Sequence, residues 1–132
     1  MLIDKILLDE ITQKAKSSER LRMNHNLHKS LDAKVQRLLN ALEPGTLLPI
    51  HRHRHTDETY IVLRGAIKVQ LFNDSSAIIE EIILSPNEGV YGLNISAGVW
   101  HSLEVLENGT VIFEVKEGPY SPLQAEDILQ KY

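Results

Sequence analysis

Apolar residues fall at Ile3, Leu7, Ile11 and Ala15, with Leu2 and Ile6 beside them. Steps of four and three lay one apolar stripe along a helix over residues 3–15. Asp4 is placed to cap that helix or to serve as its first-turn acid. Residues 16–30 are polar with little periodicity and read as a connection. After Leu31 the period falls from near 3.6 to 2 and stays there almost to the end. Residues 35–42 predict a strand or a short helix, and 46–53, 58–63, 66–72, 77–84, 90–95, 100–106 and 111–116 predict strands. In the fourth of these, Ile67, Val69 and Leu71 alternate with Lys68 and Gln70, so one face meets a core and the other water. Arg64-Gly65, Asn73-Asp74 and Asn108-Gly109 supply turns. Seven or eight short strands at near-regular spacing predict an antiparallel sandwich or barrel. Pro119 and Pro122, followed by Leu123, Ile128 and Leu129, predict a loop ending in one short helix.

No repeat and no Pro-, Gly- or Ser-rich linker divides the 132 residues, so one domain is expected. Its expected parts are a helix and connection over residues 1–30, a β-barrel over 31–118 and a tail over 119–132. A hydrophobic share of 42% is that of an ordinary globular domain and excludes disorder. Lys plus Arg of 14 against Asp plus Glu of 18 leaves a net charge of −4, too little positive field to gather nucleic acid or anionic lipid. Neither a nucleic-acid nor a membrane partner is expected. The first residues lack the basic flank and long apolar run of a secretory signal, so a cytoplasmic location is expected. With no cysteine, any metal must be held by His, Asp or Glu. Gly-rich phosphate loops and a Gly-x-Ser-x-Gly elbow are absent, which removes P-loop and serine-hydrolase chemistry.

Three histidines fall within five residues, His51, His53 and His55, with Glu58 close behind. Residues two apart on a strand share a face, so His51 and His53 can aim two imidazoles at one point. Imidazole and carboxylate donors suit one divalent first-row ion, with Fe, Mn, Ni, Zn, Co and Cu all compatible. Polar residues on an exposed strand would account for one or two of these histidines, but not for the joint pattern with the surrounding glycines. His55 continues the series; it either replaces His51 as a ligand or sits at the rim of the site, and the rim is the expectation. Arg52 and Arg54 alternate with the histidines and are expected to face away and pair with acids. Trp100 precedes His101 and is expected to pack on the opposite side. Tyr60 and Phe113 are expected in the core.

The run from Gly45 through His51, His53 and Glu58 to Gly65 resembles the first cupin motif with every anchor in place. Ser96-Ala97-Gly98-Val99-Trp100-His101 resembles the second, keeping the Gly and the His, although Ser96 stands where Pro is usual and Val105 where Asn is common. More narrowly, the chain is similar to the WbuC family of cupin-fold metalloproteins from about Arg22 to the tail. That likeness rests on Asn24, Asn26 and His28, on residues 39–46, on His51-Arg52-His53 and on residues 113–120.

The resemblance implies a mainly β, single-domain cupin-type antiparallel β-barrel, a double-stranded β-helix or jelly roll, with an N-terminal helix and a short C-terminal helix. It implies His51, His53, Glu58 and His101 around one metal ion with positions left for water or substrate. It further implies Arg22, Asn24, Asn26, His28, Lys116 and Tyr120 as substrate-binding groups, with His55 beside them, and a sugar or nucleotide-sugar ligand in surface-polysaccharide (O-antigen) assembly. A metal-dependent isomerase or oxygenase fits this picture, and a non-catalytic sugar-binding or regulatory module is the alternative. His28, His55 and Tyr120 are the titratable groups available as a base. Ile78, Ile79, Ile82 and Ile83 are more apolar than one sheet face should bury, so a homodimer is expected.

Overall fold

The computed structural model describes residues 1–130. α1 (Lys5–Ser17) leads into β1 (Arg22–Asn26), β2 (Val35–Leu42), β3 (Ile50–His51), β4 (Glu58–Arg64) and β5 (Ile67–Phe72). β6 (Ile78–Leu84), β7 (Gly92–Ile95), β8 (Trp100–Val105), β9 (Thr110–Glu117) and β10 (Ile128–Gln130) complete the chain. They form two antiparallel sheets, ordered β1-β2-β9-β4-β7 and β10-β3-β8-β5-β6. The architecture is the expected mainly β jelly roll, and the short C-terminal helix is a single 3-10 turn at Ala125–Asp127. Among the described residues no helix is long and apolar enough to cross a membrane.

Side-chain alternation buries β2 and β9 of the first sheet on both faces. Leu39 and Ala41 of β2 and Val111 of β9 point outward and pack under Leu8, Ile11 and Ala15 of α1. The helix starts where Asp4 accepts a hydrogen bond from the Leu7 N–H at 3.0 Å. Arg64 ties it down, donating to Asp9 Oδ1 at 2.6 Å and Thr12 Oγ1 at 3.0 Å while Nε donates to Gly109 O at 2.7 Å. The next residue, Gly65, has φ +85°, and a Cβ there would lie 2.2 Å from Thr110 Oγ1, so the turn admits only glycine.

The interior face changes character along the strands. Leu42, Val62, Ile112, Val69 and Leu103 belong to one apolar core between the sheets. Further along, the inward positions become Gln36 opposite Lys116, Lys116 opposite Glu58, and Glu114 opposite Tyr60. One end of the barrel is therefore packed with hydrocarbon and the other is lined with polar groups.

Three segments differ from the sequence expectation. The polar connection contains β1, which pairs with β2 from Arg22 opposite Leu42 to Asn26 opposite Leu38. Its alternation is inverted, because Met23 packs outward near α1 while Asn24 and Asn26 face a cavity rather than a core. The strand expected over 46–53 shrinks to β3: Pro49 has no N–H to give a ladder, and Arg52 N–H donates to Asp127 O. Ile128 and Leu129 do not lie in a terminal helix but in β10, which pairs with β3.

Ile11 is 1% exposed beneath α1. Ile11→Ala is expected to lower unfolding free energy by about 2–5 kcal/mol, because the helix cannot collapse into the void above a stiff sheet. Urea denaturation followed by circular dichroism measures it.

Candidate metal centre

β3 and β8 are adjacent, and His51 stands directly opposite His101 in their register. Opposed residues share a face at short range, and the two rings lie 4.3 Å apart between centroids. His53 follows in the irregular segment after β3, and its carbonyl accepts the Gly98 N–H at 2.8 Å. That bond ties the segment carrying His53 to the turn just before His101. Gly98 sits in that turn at φ +84°, a conformation that favours glycine. Glu58 opens β4 on the other sheet. Strand pairing within one sheet thus joins His51 to His101 across 50 residues of chain, and closure of the two sheets brings Glu58 to them.

One donor atom from each of His51, His53, Glu58 and His101 lies within 4.8 Å of the others. His53 Nε2 is 3.4 Å from Glu58 Oε2, and His101 Nε2 is 3.2 Å from Glu58 Oε1. The Nδ1–H of His51 donates to Pro49 O at 3.0 Å, and that of His101 to Val99 O at 2.9 Å. Backbone carbonyls therefore hold both rings with Nε2 toward the cluster, the outer arrangement that orients metal-binding histidines. A ring lone pair and a carboxylate oxygen at such distances repel unless a positive charge lies between them, either a proton or a metal ion. Burial and the neighbouring His101 push the His51 imidazole down to about 4, leaving it neutral and ready to ligate near pH 7. Burial opposes the charge on Glu58, but hydrogen bonds with His101 and His53 outweigh it and hold its carboxyl well below the usual range. Three neutral-capable imidazoles and an ionised carboxylate, spaced within reach of one centre, fit a divalent first-row ion.

The cluster opens into a cavity of about 470 Å³. Arg22, Asn24, Asn26, His28, Lys116 and Tyr120 line it together with His51, His53 and Glu58. His55 stands apart, exposed, on a second depression bounded by Arg52, Arg54 and Thr56. Arg52 and Arg54 turn away from the cluster and meet Asp127, at 3.3 and 3.1 Å. The Arg52 guanidinium also lies 4.3 Å from the Trp100 ring centre, and Trp100 Nε1–H donates to Asp74 at 2.8 Å, on the side away from His101.

Sequence reasoning missed several cavity residues, among them Arg20, Gln36, Asn40 and Glu114, while Tyr60, expected in the core, packs there and also lines the cavity. Tyr60 is two positions beyond Glu58 on one strand, a spacing that puts both on one face and could have revealed it. Burial, reinforced by the Glu58 and Glu114 charges, pushes the Tyr60 phenol well above its usual value. Burial and the Glu58 charge likewise push the Glu114 carboxyl up to about 8, although Asn40 Nδ2 donates to it at 3.1 Å. The cavity therefore holds one carboxylate that is ionised near neutrality and one carboxyl that keeps its proton.

Solved structures with the same architecture include KdgF from Halomonas sp., at 18% identity and TM-score 0.60, covering 76% of this chain and 82% of that one. A cupin 2 domain-containing protein from Halorhodospira halophila is 16% identical with TM-score 0.61, covering 78% and 68%. The capsular polysaccharide assembling protein CapF from Staphylococcus aureus is 19% identical with TM-score 0.64, covering 80% of this chain but only 30% of CapF. At these identities the likeness establishes the cupin fold. No curated protein matches the sequence. A family profile described as a domain of unknown function (DUF6016) matches residues 3–84, more than half of the chain. The chain thus belongs to the DUF6016 family and carries its candidate metal centre within a cupin fold.

Proposed function

We propose that this protein holds one divalent first-row metal ion on His51, His53, Glu58 and His101 and binds a small polar metabolite in the adjoining cavity. The observation that carries this reading is the convergence of four donors with two of the rings pre-aimed by backbone carbonyls. A bound ion supplies Lewis acidity toward a ligand hydroxyl, carbonyl or carboxylate. The chain's own residues do the rest: Glu58 offsets one of the ion's two charges, and Arg22 is steadied at the cavity wall by Leu47 O at 2.9 Å and Thr46 Oγ1 at 3.3 Å. Arg22, Lys116 and Tyr120 are the ligand-binding groups of this proposal, with Asn24, Asn26 and His28 along β1 and just beyond it. His55 lies outside the cavity and serves as an outer group at most. The chain's similarity to the WbuC family, together with a fold shared with a capsular polysaccharide assembling protein, supports a sugar or nucleotide-sugar as the metabolite.

Two copies of the chain are proposed to pair through β6. This strand is the edge of its sheet, with Ile78, Ile79 and Ile83 exposed. Light scattering at micromolar concentration is expected to give twice the 15.0 kDa chain mass, and Ile79→Lys together with Ile83→Lys the chain mass itself.

At an ion concentration of 100 times Kd, binding is expected to stabilise the native protein by about 2.7 kcal/mol. His53→Ala combined with His101→Ala is expected to abolish that gain, and elemental analysis of the native protein is expected to return about one ion per chain. Unfolding midpoints of native and doubly substituted protein, each with and without added ion, give the measurement. A native midpoint that no divalent first-row ion moves would refute the metal site.

In the metal-free protein the same cavity sets a pH response with two opposed limbs. His51 has a native value near 4 against an ordinary 6.5, so its contribution is present above 6.5 and is lost as pH falls toward 4. Glu114 has a native value near 8 against an ordinary 4.5, so its contribution is full below 4.5 and is lost as pH rises toward 8. Glu114→Gln is expected to remove the second limb: the stability of the variant relative to native protein rises with pH across that interval. Urea midpoints collected through the interval check it, and parallel curves would contradict the assignment.

A further inference from the structure

His28 Nε2 and Asn40 Oδ1 are the two buried side-chain polar atoms without a hydrogen-bond partner among the described residues. Both belong to residues lining the cavity next to the metal cluster. Leaving such atoms unpaired costs stability, and native proteins keep few of them, so a pair in one cavity marks where a ligand makes contact. Their chemistry is set by their other bonds. His28 Nδ1 lies 3.1 Å from Arg37 N and 2.9 Å from Arg37 O, so Nε2 is a donor or an acceptor according to the ring's tautomer. Asn40 Nδ2 is spent on Glu114 Oε2, which leaves Oδ1 as an acceptor. An amide oxygen that accepts and a ring nitrogen that gives or accepts are together matched by hydroxyl groups, which give and take hydrogen bonds at once.

Charge selects the rest of the ligand. Arg20, Arg22 and Lys116 face the same cavity against the carboxyls of Glu58 and Glu114. A divalent ion in the cluster adds two further positive charges, so the loaded cavity favours an anion. Resting on the metal reading given above, we propose that the cavity takes a polyhydroxylated carboxylate, with its acid group at the ion and the basic side chains and its hydroxyls on Asn40 and His28.

The test is calorimetric titration of D-gluconate, hexanoate and sorbitol into the full chain carrying one equivalent of Zn(II). Gluconate is expected to bind, hexanoate at least about ten-fold more weakly because two buried polar atoms stay unpaired, and sorbitol more weakly for want of charge. Asn40→Leu and His28→Phe are each expected to weaken gluconate about ten-fold while leaving Zn(II) uptake and hexanoate affinity within two-fold. Gluconate failing to bind the Zn(II)-loaded native protein, or hexanoate binding as well as gluconate, overturns the proposal even if a variant does not fold. Native protein that takes up no Zn(II) brings down the metal reading itself, a distinct result read directly from the metal titration.

Discussion

A carboxylate and three imidazoles sit within 4.8 Å of one another because two sheets close against each other at the polar end of the barrel. Electron-rich atoms so close need a positive charge among them. The rest of the structure supplies the rigidity that keeps them from parting to avoid it. His51 and His101 are locked by strand register and by backbone carbonyls, His53 by its bond to the Gly98 turn, and Glu58 by the start of β4. A proton between His101 Nε2 and Glu58 Oε1, which lie 3.2 Å apart, would be one such charge. A cation of higher charge serves better and opens the cavity to anions.

That rigidity is built on hydrocarbon. β2 and β9 are buried on both faces, under α1 outside and against the second sheet inside, and β4 is held in register by its pairing with β9. A slip of one residue would turn Glu58 and Tyr60 outward and put Thr59 and Ile61 in their place. The apolar end of the barrel thus defines the register on which the polar end depends. The cavity tolerates buried unpaired groups such as Asn40 Oδ1 because the packed end carries the stability.

Electrostatics divides the cavity's acids between two states. Glu58 is held ionised by the histidines that share it, whereas Glu114, one row along the sheet, keeps its proton to about pH 8 because it is buried beside that charge. Environment alone separates two identical side chains, as in sites that need both a charged and a neutral carboxyl. Tyr60, between them in the sheet, is held protonated by the same field.

Much of this was legible in the residues themselves. The step of three and four in residues 3–15 predicted α1, the period of two predicted the principal strands of the barrel, the two-residue step from His51 to His53 marked two donors, and the resemblance to the cupin motifs added Glu58 and His101. Local periodicity is enough where a face meets hydrocarbon, because water and core then sort the residues. It failed for β1, whose inner face meets a polar cavity, and for β3 and β10, which are too short to show a period. Tertiary structure alone decided that Asn40 and Glu114 share the cavity with the histidines, since they are joined only through the β2 to β9 register across 74 residues of chain. It likewise decided that His55 falls outside, because the chain leaves the strand after His51 and carries the third histidine to another surface. Spacing along a chain reports faces of a regular element; which faces meet is decided by closure of the barrel.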